Sequence, residues 1–105
     1  MAQRIKEEQF NELVLDAKLP VLVDFYSDTC IPCKKLNGPL GDMEEDNEGK
    51  LLVYKVNVNY DEALAKQYAV ASVPTLVFFK EGKEVLRNTG AASYDEIDGL
   101  IEDYL

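Results

Sequence analysis

The chain contains two cysteines, Cys30 and Cys33, and they are separated by only two residues. They follow an apolar run at Val21–Tyr26, which is rich in aliphatic and aromatic residues and predicts a buried strand. A helical pattern begins near Pro32, where proline is tolerated because its missing N–H has no partner in the first turn. Free backbone N–H groups and the helix dipole at such a position favour a thiolate over a thiol.

This spacing suits thiol–disulfide exchange. Three positions after Cys30, the side chain of Cys33 comes round to nearly the same helix face, within reach of the first sulfur. Cys30 can then attack a disulfide and hold the mixed disulfide until Cys33 attacks in turn. Free cysteines are often buried and inert, so two small core residues are the alternative interpretation. Because a C-x-x-C next to a βαβ pattern is typical of a redox site, we predict Cys30 as nucleophile and Cys33 as resolving thiol.

Two charged residues interrupt apolar runs. A carboxylate is costly to bury, and apolar neighbours on both sides of Asp24 predict that it faces the interior. Desolvation should raise the pKa of Asp24, so that it can take the proton of Cys33 as that thiol attacks. A purely structural carboxylate, or one facing water on an edge strand, is the alternative. Lys55 interrupts the run LLVYKVNV in a similar way, but an ordinary exposed strand lysine would give the same pattern.

Length and composition predict one globular domain spanning residues 1–105. Hydrophobic residues make up 47% of the chain and charged residues 30%, which is enough for a core without cross-links. The net charge is -9 and no basic cluster exceeds Lys34-Lys35, which argues against nucleic acid or an anionic membrane as a partner. No apolar run reaches the roughly 18 residues that a membrane span needs. Since the N-terminus also lacks the apolar stretch of a signal peptide, we expect a cytoplasmic protein if Met1 is the natural start.

The absence of histidine narrows the chemistry further. Without it, Ser-His-Asp and Cys-His catalysis are excluded. Two cysteines are too few for a disulfide scaffold, and too few for a zinc site within one chain. A metal shared between two chains stays open as a weaker alternative. We expect no metal and no cofactor other than the Cys30–Cys33 pair itself.

Hydrophobic periodicity predicts alternating strands and helices along the chain. Strand, helix and strand over residues 21–58 should form a right-handed βαβ unit with parallel strands, and Glu81-Gly82 should close a hairpin. This order predicts an α/β fold in which a central mixed sheet is flanked by helices on both faces. The predicted strands are residues 2–5, Val21–Tyr26, Leu51–Val58, Thr75–Lys80 and Lys83–Thr89. The predicted helices are Glu7–Ala17, one from about Pro32 into the 44–50 stretch, one capped by Asn59 and running through Tyr68, and one capped by Ser93 and Glu96 with Ile97, Leu100, Ile101 and Tyr104 inward.

The segment VDFYSDTCIPCKK at Val23–Lys35 resembles the active-site stretch of the thioredoxins. The likeness extends over nearly the whole chain and includes SVPTLVFFKEG at Ser72–Gly82 and the Asn-Thr-Gly sequence at Asn88–Gly90. The resemblance implies the thioredoxin fold and a monomer that reduces disulfides in protein substrates. It also implies a thioredoxin-reductase-like protein as the electron donor.

The resemblance supports a role for Asp24 and Lys55. Asp24 matches the carboxylate to which the family assigns the proton of the second cysteine. Lys55 would neighbour Asp24 and stabilise its anion.

A second group of residues matches the substrate groove of the family. Local sequence favours a trans bond before Pro74, since only a small minority of X-Pro bonds are cis. The resemblance instead implies a cis proline packed against the C-x-x-C. A substrate would lie beside Val73 and pair with its backbone, and Gly90 and Ala91 would complete the groove. A plain turn glycine is the alternative for Gly90.

The motif also departs from the family. Thr29 and Ile31 replace the tryptophan and glycine of the family's W-C-G-P-C, while Pro32 is retained. The chain has no tryptophan, and Tyr26 occupies the other familiar tryptophan position. Losing the indole removes an apolar docking surface, and Ile31 adds a stiff apolar side chain. We expect Thr29, Ile31 and Pro32 to line the substrate site and the first two to alter partner choice.

Two alternatives to a disulfide reductase stay open. A thioredoxin-like adaptor would keep the C-x-x-C only as a structural or vestigial feature, but the joint presence of Asp24, Cys30, Cys33 and Pro74 argues against it. A thiol oxidase or isomerase belongs in an oxidising compartment, and the missing signal peptide disfavours it. By analogy, the proline inside the motif favours a reductant.

Overall fold

The apolar runs of the sequence form one mixed sheet in the computed structural model, which describes residues 2–105. The strands are β1 (Gln3–Arg4), β2 (Val21–Tyr26), β3 (Leu52–Asn57), β4 (Thr75–Lys80) and β5 (Lys83–Thr89), in the order β1-β3-β2-β4-β5 across the sheet. β1, β3 and β2 run parallel to one another, β4 is antiparallel to β2, and β5 is antiparallel to β4. The predicted mixed α/β sheet is confirmed, and every predicted strand end is correct to within one residue.

Helices cover both faces of this sheet. Within residues 2–105 they are α1 (Glu7–Phe10), continued by a π-helical turn at Asn11–Leu15, then α2 (Ile31–Asp46), α3 (Glu62–Gln67) and α4 (Tyr94–Ile101), which is followed by a 3-10 turn at Glu102–Tyr104. Along the described chain, no helix is both long enough and apolar enough to cross a lipid bilayer.

Successive side chains of a strand point to opposite faces of the sheet, so a separate apolar core forms on each face. One core joins β2, β3 and β4 to α1 and α3 through Phe10, Val14, Val21, Val23, Phe25, Val56, Leu64, Val77 and Phe79. The other joins the same strands to α2 and α4 through Leu22, Leu36, Leu40, Met43, Val53, Leu76, Phe78, Ile97 and Ile101. Because Asp24 has the parity of Leu22 on β2, it faces α2, the helix that begins with the C-x-x-C.

The start of α3 differs from its prediction. The helix begins at Glu62 and its N-cap position is Asp61, so the prediction that Asn59 caps it is wrong. The Asp61 carboxylate accepts a hydrogen bond from the backbone N–H of Glu7 at 3.1 Å. Asp61 therefore ties the start of α3 to the start of α1, a contact that no local pattern in the sequence predicts.

The inward face of α4 is narrower than predicted. The capping box of Ser93 and Glu96 is confirmed, with both reciprocal hydrogen bonds formed. Ile97 and Ile101 are buried as predicted, but Leu100 is 40% exposed, so its prediction as an inward residue is wrong. The prediction of Tyr104 as an inward residue of this helix is also wrong: it is 37% exposed and lies in the 3-10 turn beyond α4, where its ring contacts Phe78.

The hairpin between β4 and β5 turns through only two residues. Glu81 and Gly82 both have positive φ, 53° and 77°, which matches the turn type that follows the twist of paired strands. A Cβ on Gly82 would lie 2.8 Å from the backbone oxygen of Leu15. Glycine is required at this turn both by the backbone conformation and by the close approach of the π-helical turn.

We expect Gly82→Ala to lower the free energy of unfolding by roughly 1–3 kcal/mol, because it adds a strained φ and a steric contact. Gly99→Ala in α4 is the matched control, since its added Cβ meets nothing within 4 Å and alanine favours a helix by about 1 kcal/mol. Urea unfolding of both variants measures the difference. Equal midpoints for Gly82→Ala and wild type would contradict the role of this turn.

Candidate active site

The register of the sheet brings the candidate residues to one end. β2 and β3 pair in parallel along their length, so their carboxyl ends at Tyr26 and Asn57 lie side by side. β4 runs the opposite way, with Thr75 paired to Phe25 on one side and to Thr89 on the other. The loop before β4 and the loop after β5 therefore meet the β2–α2 loop, which carries the cysteines.

The two cysteines form a disulfide whose Cα atoms are 5.2 Å apart. Cys30 is the N-cap of α2, and its Sγ accepts a hydrogen bond from the backbone N–H of Cys33 at 3.2 Å. Cys30 is half-buried, whereas Cys33 is only 3% exposed. The structure thus confirms that Cys30 is the more accessible sulfur and that it lies where helix N–H groups stabilise a thiolate.

Asp24 is fully buried in the centre of the sheet, with 0% of its surface exposed. Neither of its carboxyl oxygens has a hydrogen-bond partner among residues 2–105. Burial raises the pKa of Asp24 to about 7, and the positive charge of Lys55 opposes this only in part. The prediction of a buried carboxyl group with a raised pKa is confirmed. A group that titrates near neutral pH can accept or donate a proton during exchange.

Lys55 lies directly across from Asp24 in the register of β2 and β3. Its side chain is half-buried. The ammonium group donates to Oδ1 of Asn37 at 2.8 Å, and Nζ lies 4.2 Å from the centre of the Tyr26 ring. Lys55 is therefore a neighbour of Asp24, as the resemblance implied, but its ammonium group donates a hydrogen bond to Asn37 on α2.

A cavity of about 240 Å³ opens beside the buried sulfur. It is lined by Tyr26, Ser27, Asp28, Cys33, Lys34, Asn37 and Lys55. The cavity joins Cys33 to the Lys55 ammonium group, so both face the same small volume. Sequence reasoning missed Asn37, although a signal existed: it follows Cys33 by four residues and so shares its helix face.

Asn57, at the end of β3, forms a hydrogen bond to the β2–α2 loop and is a second residue that no sequence pattern indicated. Asn57 is 1% exposed, and its Nδ2 donates to Oδ2 of Asp28 at 3.3 Å. Its Oδ1 accepts from the backbone N–H of Asn59 at 3.0 Å. Asn57 thus connects two loops at the active-site end, and only the sheet register could have indicated it.

The opposite side of the site carries the proline. The Val73–Pro74 peptide bond is cis, as the resemblance implied and against the expectation from local sequence. Gly90 has a φ of 98°, and its N–H donates to the Pro74 oxygen at 2.8 Å. This hydrogen bond ties the loop after β5 to the proline, and the assignment of Gly90 to a substrate groove stays a prediction. Val73 is half-buried and Ala91 is exposed beside these two residues.

The rim around Cys30 is open to solvent. Thr29, Ile31 and Pro32 are all exposed, and Ile31 has 66% of its surface accessible. An exposed isoleucine next to a reactive sulfur offers an apolar contact to a partner. All three residues lie close to Cys30 in the sequence and on its solvent side, and their role in lining a substrate site stays a prediction.

Comparison with known proteins identifies the family. Residues 1–103 match the thioredoxin family. The chain is 36% identical over 102 residues to a thioredoxin of Synechocystis sp., which covers 97% of this chain and 95% of that protein. It is 38% identical to a thioredoxin of Chlamydia caviae, with 99% of both chains covered. Against the chloroplastic M-type thioredoxin of Spinacia oleracea it is 34% identical and spans 57% of that protein's length. The chain belongs to the thioredoxin family, and its Cys30–Cys33 pair makes it a thiol–disulfide oxidoreductase.

Proposed function

We propose that this chain reduces disulfide bonds in proteins through the Cys30/Cys33 dithiol and is itself reduced by a thioredoxin-reductase-like electron donor. The observation that carries the proposal is the pairing of a half-buried sulfur at the N-terminus of α2 with a buried second sulfur. The relatives that share this chain's length are thioredoxins. An adaptor without redox activity would not need the asymmetry between the two sulfurs.

The first chemical step belongs to Cys30. Its thiolate attacks one sulfur of the substrate disulfide, forms a new S–S bond to that sulfur, and expels the other substrate sulfur as a thiolate. The thiolate is stabilised before attack by the N–H groups that open α2. The product is a mixed disulfide between Cys30 and the substrate.

The second step belongs to Cys33 and Asp24. Asp24, as the carboxylate, takes the proton of the Cys33 thiol, and the thiolate then attacks Sγ of Cys30. The Cys30–Cys33 bond forms, the mixed disulfide breaks, and the second substrate sulfur leaves as a thiolate. The substrate has gained two electrons, and the protein holds the disulfide seen here. Two electrons from the reductase restore the dithiol.

Substrate recognition would use the groove beside the cysteines. An extended substrate segment would pair with the backbone of Val73, just before β4 begins at Thr75. Pro74, Gly90 and Ala91 would form the floor and side of this groove. The hydrogen bond from Gly90 to the Pro74 oxygen supports this assignment because it holds the two loops together.

The assignment of the sulfurs is tested by trapping. We expect wild type to accelerate insulin reduction by dithiothreitol and Cys30→Ser to abolish this activity, whereas an adaptor would show no difference. Cys33→Ser should accumulate a covalent adduct with disulfide substrates, because the resolving thiol is missing. Cys30→Ser should trap almost none, since the remaining sulfur is buried.

Limiting iodoacetamide on the reduced protein, followed by peptide mapping over a range of pH, gives an independent measurement. Cys30 should be labelled first at every pH. Preferential labelling of Cys33, or an adduct with Cys30→Ser, would reverse the two roles.

Asp24→Asn tests the proton acceptor. We expect release of the mixed disulfide to slow by at least roughly tenfold near neutral pH, because general base catalysis is lost. The same substitution should stabilise the fold at neutral pH. Between about pH 4 and pH 7 the folded protein binds one more proton than the unfolded chain, since burial raises the pKa of Asp24 to about 7. Wild-type stability therefore falls as pH rises through this range and stays lower above it.

The expected gain for Asp24→Asn approaches about 4 kcal/mol above pH 7, at about 1.4 kcal/mol per unit of pKa shift, and vanishes below about pH 4. Urea unfolding at several pH values measures it. A constant difference between the two proteins across pH would show that Asp24 does not titrate in this range. An unchanged release rate would remove Asp24 from the mechanism.

The rim residues are expected to set partner choice. A generic thioredoxin reductase should turn over this protein poorly, because Thr29 and Ile31 replace the tryptophan and glycine of the family motif. Thr29→Trp combined with Ile31→Gly should improve turnover by roughly fivefold, the effect of about 1 kcal/mol of interface contact. Steady-state oxidation of NADPH measures it. The rim does not decide partner choice if the wild-type protein already matches an ordinary thioredoxin.

A further inference from the structure

The Lys55 ammonium group lies between two competing partners. On β2, Asp24 is its register partner, with both carboxyl oxygens buried and without hydrogen bonds among the described residues. On α2, the Asn37 side chain accepts a hydrogen bond from Nζ at 2.8 Å. The Tyr26 ring lies 4.2 Å from the same nitrogen. In the structure the ammonium group is engaged by α2 and the aromatic ring, and Asp24 receives none of its N–H donors.

This arrangement matters when Asp24 ionises. A buried carboxylate without a hydrogen bond is costly, so the anion would be stabilised most by an ammonium group that turns towards it. Lysine has a long flexible stem and three donors, so the side chain of Lys55 can adopt either position. The hydrogen bond to Asn37 and the contact with the Tyr26 ring oppose that movement.

The other charged and titratable groups around Lys55 have their own contacts. Arg4, its register partner on β1, lies 3.9 Å from the Asp61 carboxylate and over the ring of Tyr60. Asp28, in the β2–α2 loop, accepts a hydrogen bond from Asn57. The remaining titratable neighbours are the phenol of Tyr26 on β2, Cys33 and Lys34 on α2, and Asp24 itself. Among these groups, Asp24 is the buried carboxyl group, and neither of its oxygens has a hydrogen-bond partner among the described residues.

We propose that Asn37 is a positioning residue of the resolving step, because its side-chain oxygen holds the Lys55 ammonium group on the α2 side of the cavity and away from the Asp24 carboxyl group. The inference rests on the proposed function, in which Asp24 takes the proton of Cys33. By keeping the ammonium group away, Asn37 keeps Asp24 a stronger proton acceptor. Without Asn37, Lys55 pairs with the carboxylate, and Asp24 becomes a weaker base that is ionised at lower pH.

The surroundings of Asn37 make this testable by mutation. Asn37 is exposed on α2, so Asn37→Ala leaves the core intact, and alanine is a favourable helix residue. Lys55→Met removes the charge but keeps an unbranched stem. Asn11→Ala is the matched control, because Asn11 is likewise an exposed helical amide and belongs to the π-helical turn on the other face of the sheet.

Two measurements are made on wild type, Asn37→Ala, Lys55→Met, the Asn37→Ala/Lys55→Met double variant and Asn11→Ala. Carbon-13 NMR of the Asp24 carboxyl group in the oxidised protein follows its titration directly. Rapid mixing of the reduced protein with the aryl disulfide dithiobis(nitrobenzoate) follows exchange. Attack by Cys30 releases the first thionitrobenzoate. Attack by Cys33 on the Cys30 mixed disulfide then releases the second in a first-order phase.

In Asn37→Ala we expect the Asp24 titration and the acid limb of the second phase to move down by about half a pH unit, roughly a threefold change in proton affinity. Asn11→Ala should match wild type. Lys55→Met should move the Asp24 titration and the acid limb of the second phase to higher pH. Adding Asn37→Ala to Lys55→Met should shift neither of them further.

The proposal is overturned if Asn37→Ala titrates like wild type, or if its shift persists without Lys55. Failure of the proposed function looks different: wild type would then show no first-order second phase, while the NMR titration would still decide whether Asn37 positions Lys55.

Discussion

The site depends on a carboxyl group held without hydrogen bonds in the central strand of the sheet. Such a group is costly, and the fold tolerates it because β2 is flanked by β3 and β4 and covered on both faces by apolar cores. The same burial that makes Asp24 costly for stability brings its protonation close to neutral pH. Stability and the proposed proton transfer are therefore linked at one residue, because replacing this carboxyl group would stabilise the fold and remove the proposed base.

The geometry around that carboxyl group follows from the sheet topology. Parallel pairing of β2 with β3 puts Lys55 across from Asp24, and antiparallel pairing of β2 with β4 brings the Pro74 loop to the cysteine end. α2 begins at this end with Cys30 as its N-cap, so the helix terminus, the proline loop and the strand that carries the carboxyl group meet at the cysteine end of the sheet. The positions come from backbone pairing, which is why a domain of this size can align groups from distant segments.

Further residues surround this arrangement on two sides. Thr29 and Ile31 lie on the exposed rim beside the disulfide. Tyr26 and Asn37 line the cavity beside Cys33 and contact the Lys55 ammonium group. We therefore expect substitutions at the rim to change which protein docks, and substitutions around the cavity to change the proposed proton transfer. The two effects are separable because the rim residues are exposed, whereas Tyr26 and Asn37 contact the Lys55 ammonium group.

Local sequence patterns were enough to predict the strands and the residues of the thiol chemistry. Hydrophobic periods of two and of about 3.6 located every strand to within one residue, and the C-x-x-C with a lone acidic residue in an apolar run located the dithiol and Asp24. Local patterns work there because strand and helix formation, capping by Ser93 and burial of apolar runs depend on near neighbours. The same patterns misplaced the N-cap of α3 at Asn59 and the side chain of Leu100, where packing decides.

Contacts between distant segments could be seen only in the folded chain. Asp61 accepts a hydrogen bond from Glu7 at the start of α1, 54 residues away, and Lys55 donates one to Asn37, 18 residues away. The cis bond before Pro74 likewise opposed the expectation from local sequence. These features depend on which side chains the folded sheet brings within hydrogen-bonding distance, a property of strand order and register. No periodicity in a single chain encodes that order directly, because each strand carries the same apolar alternation whichever neighbour it pairs with.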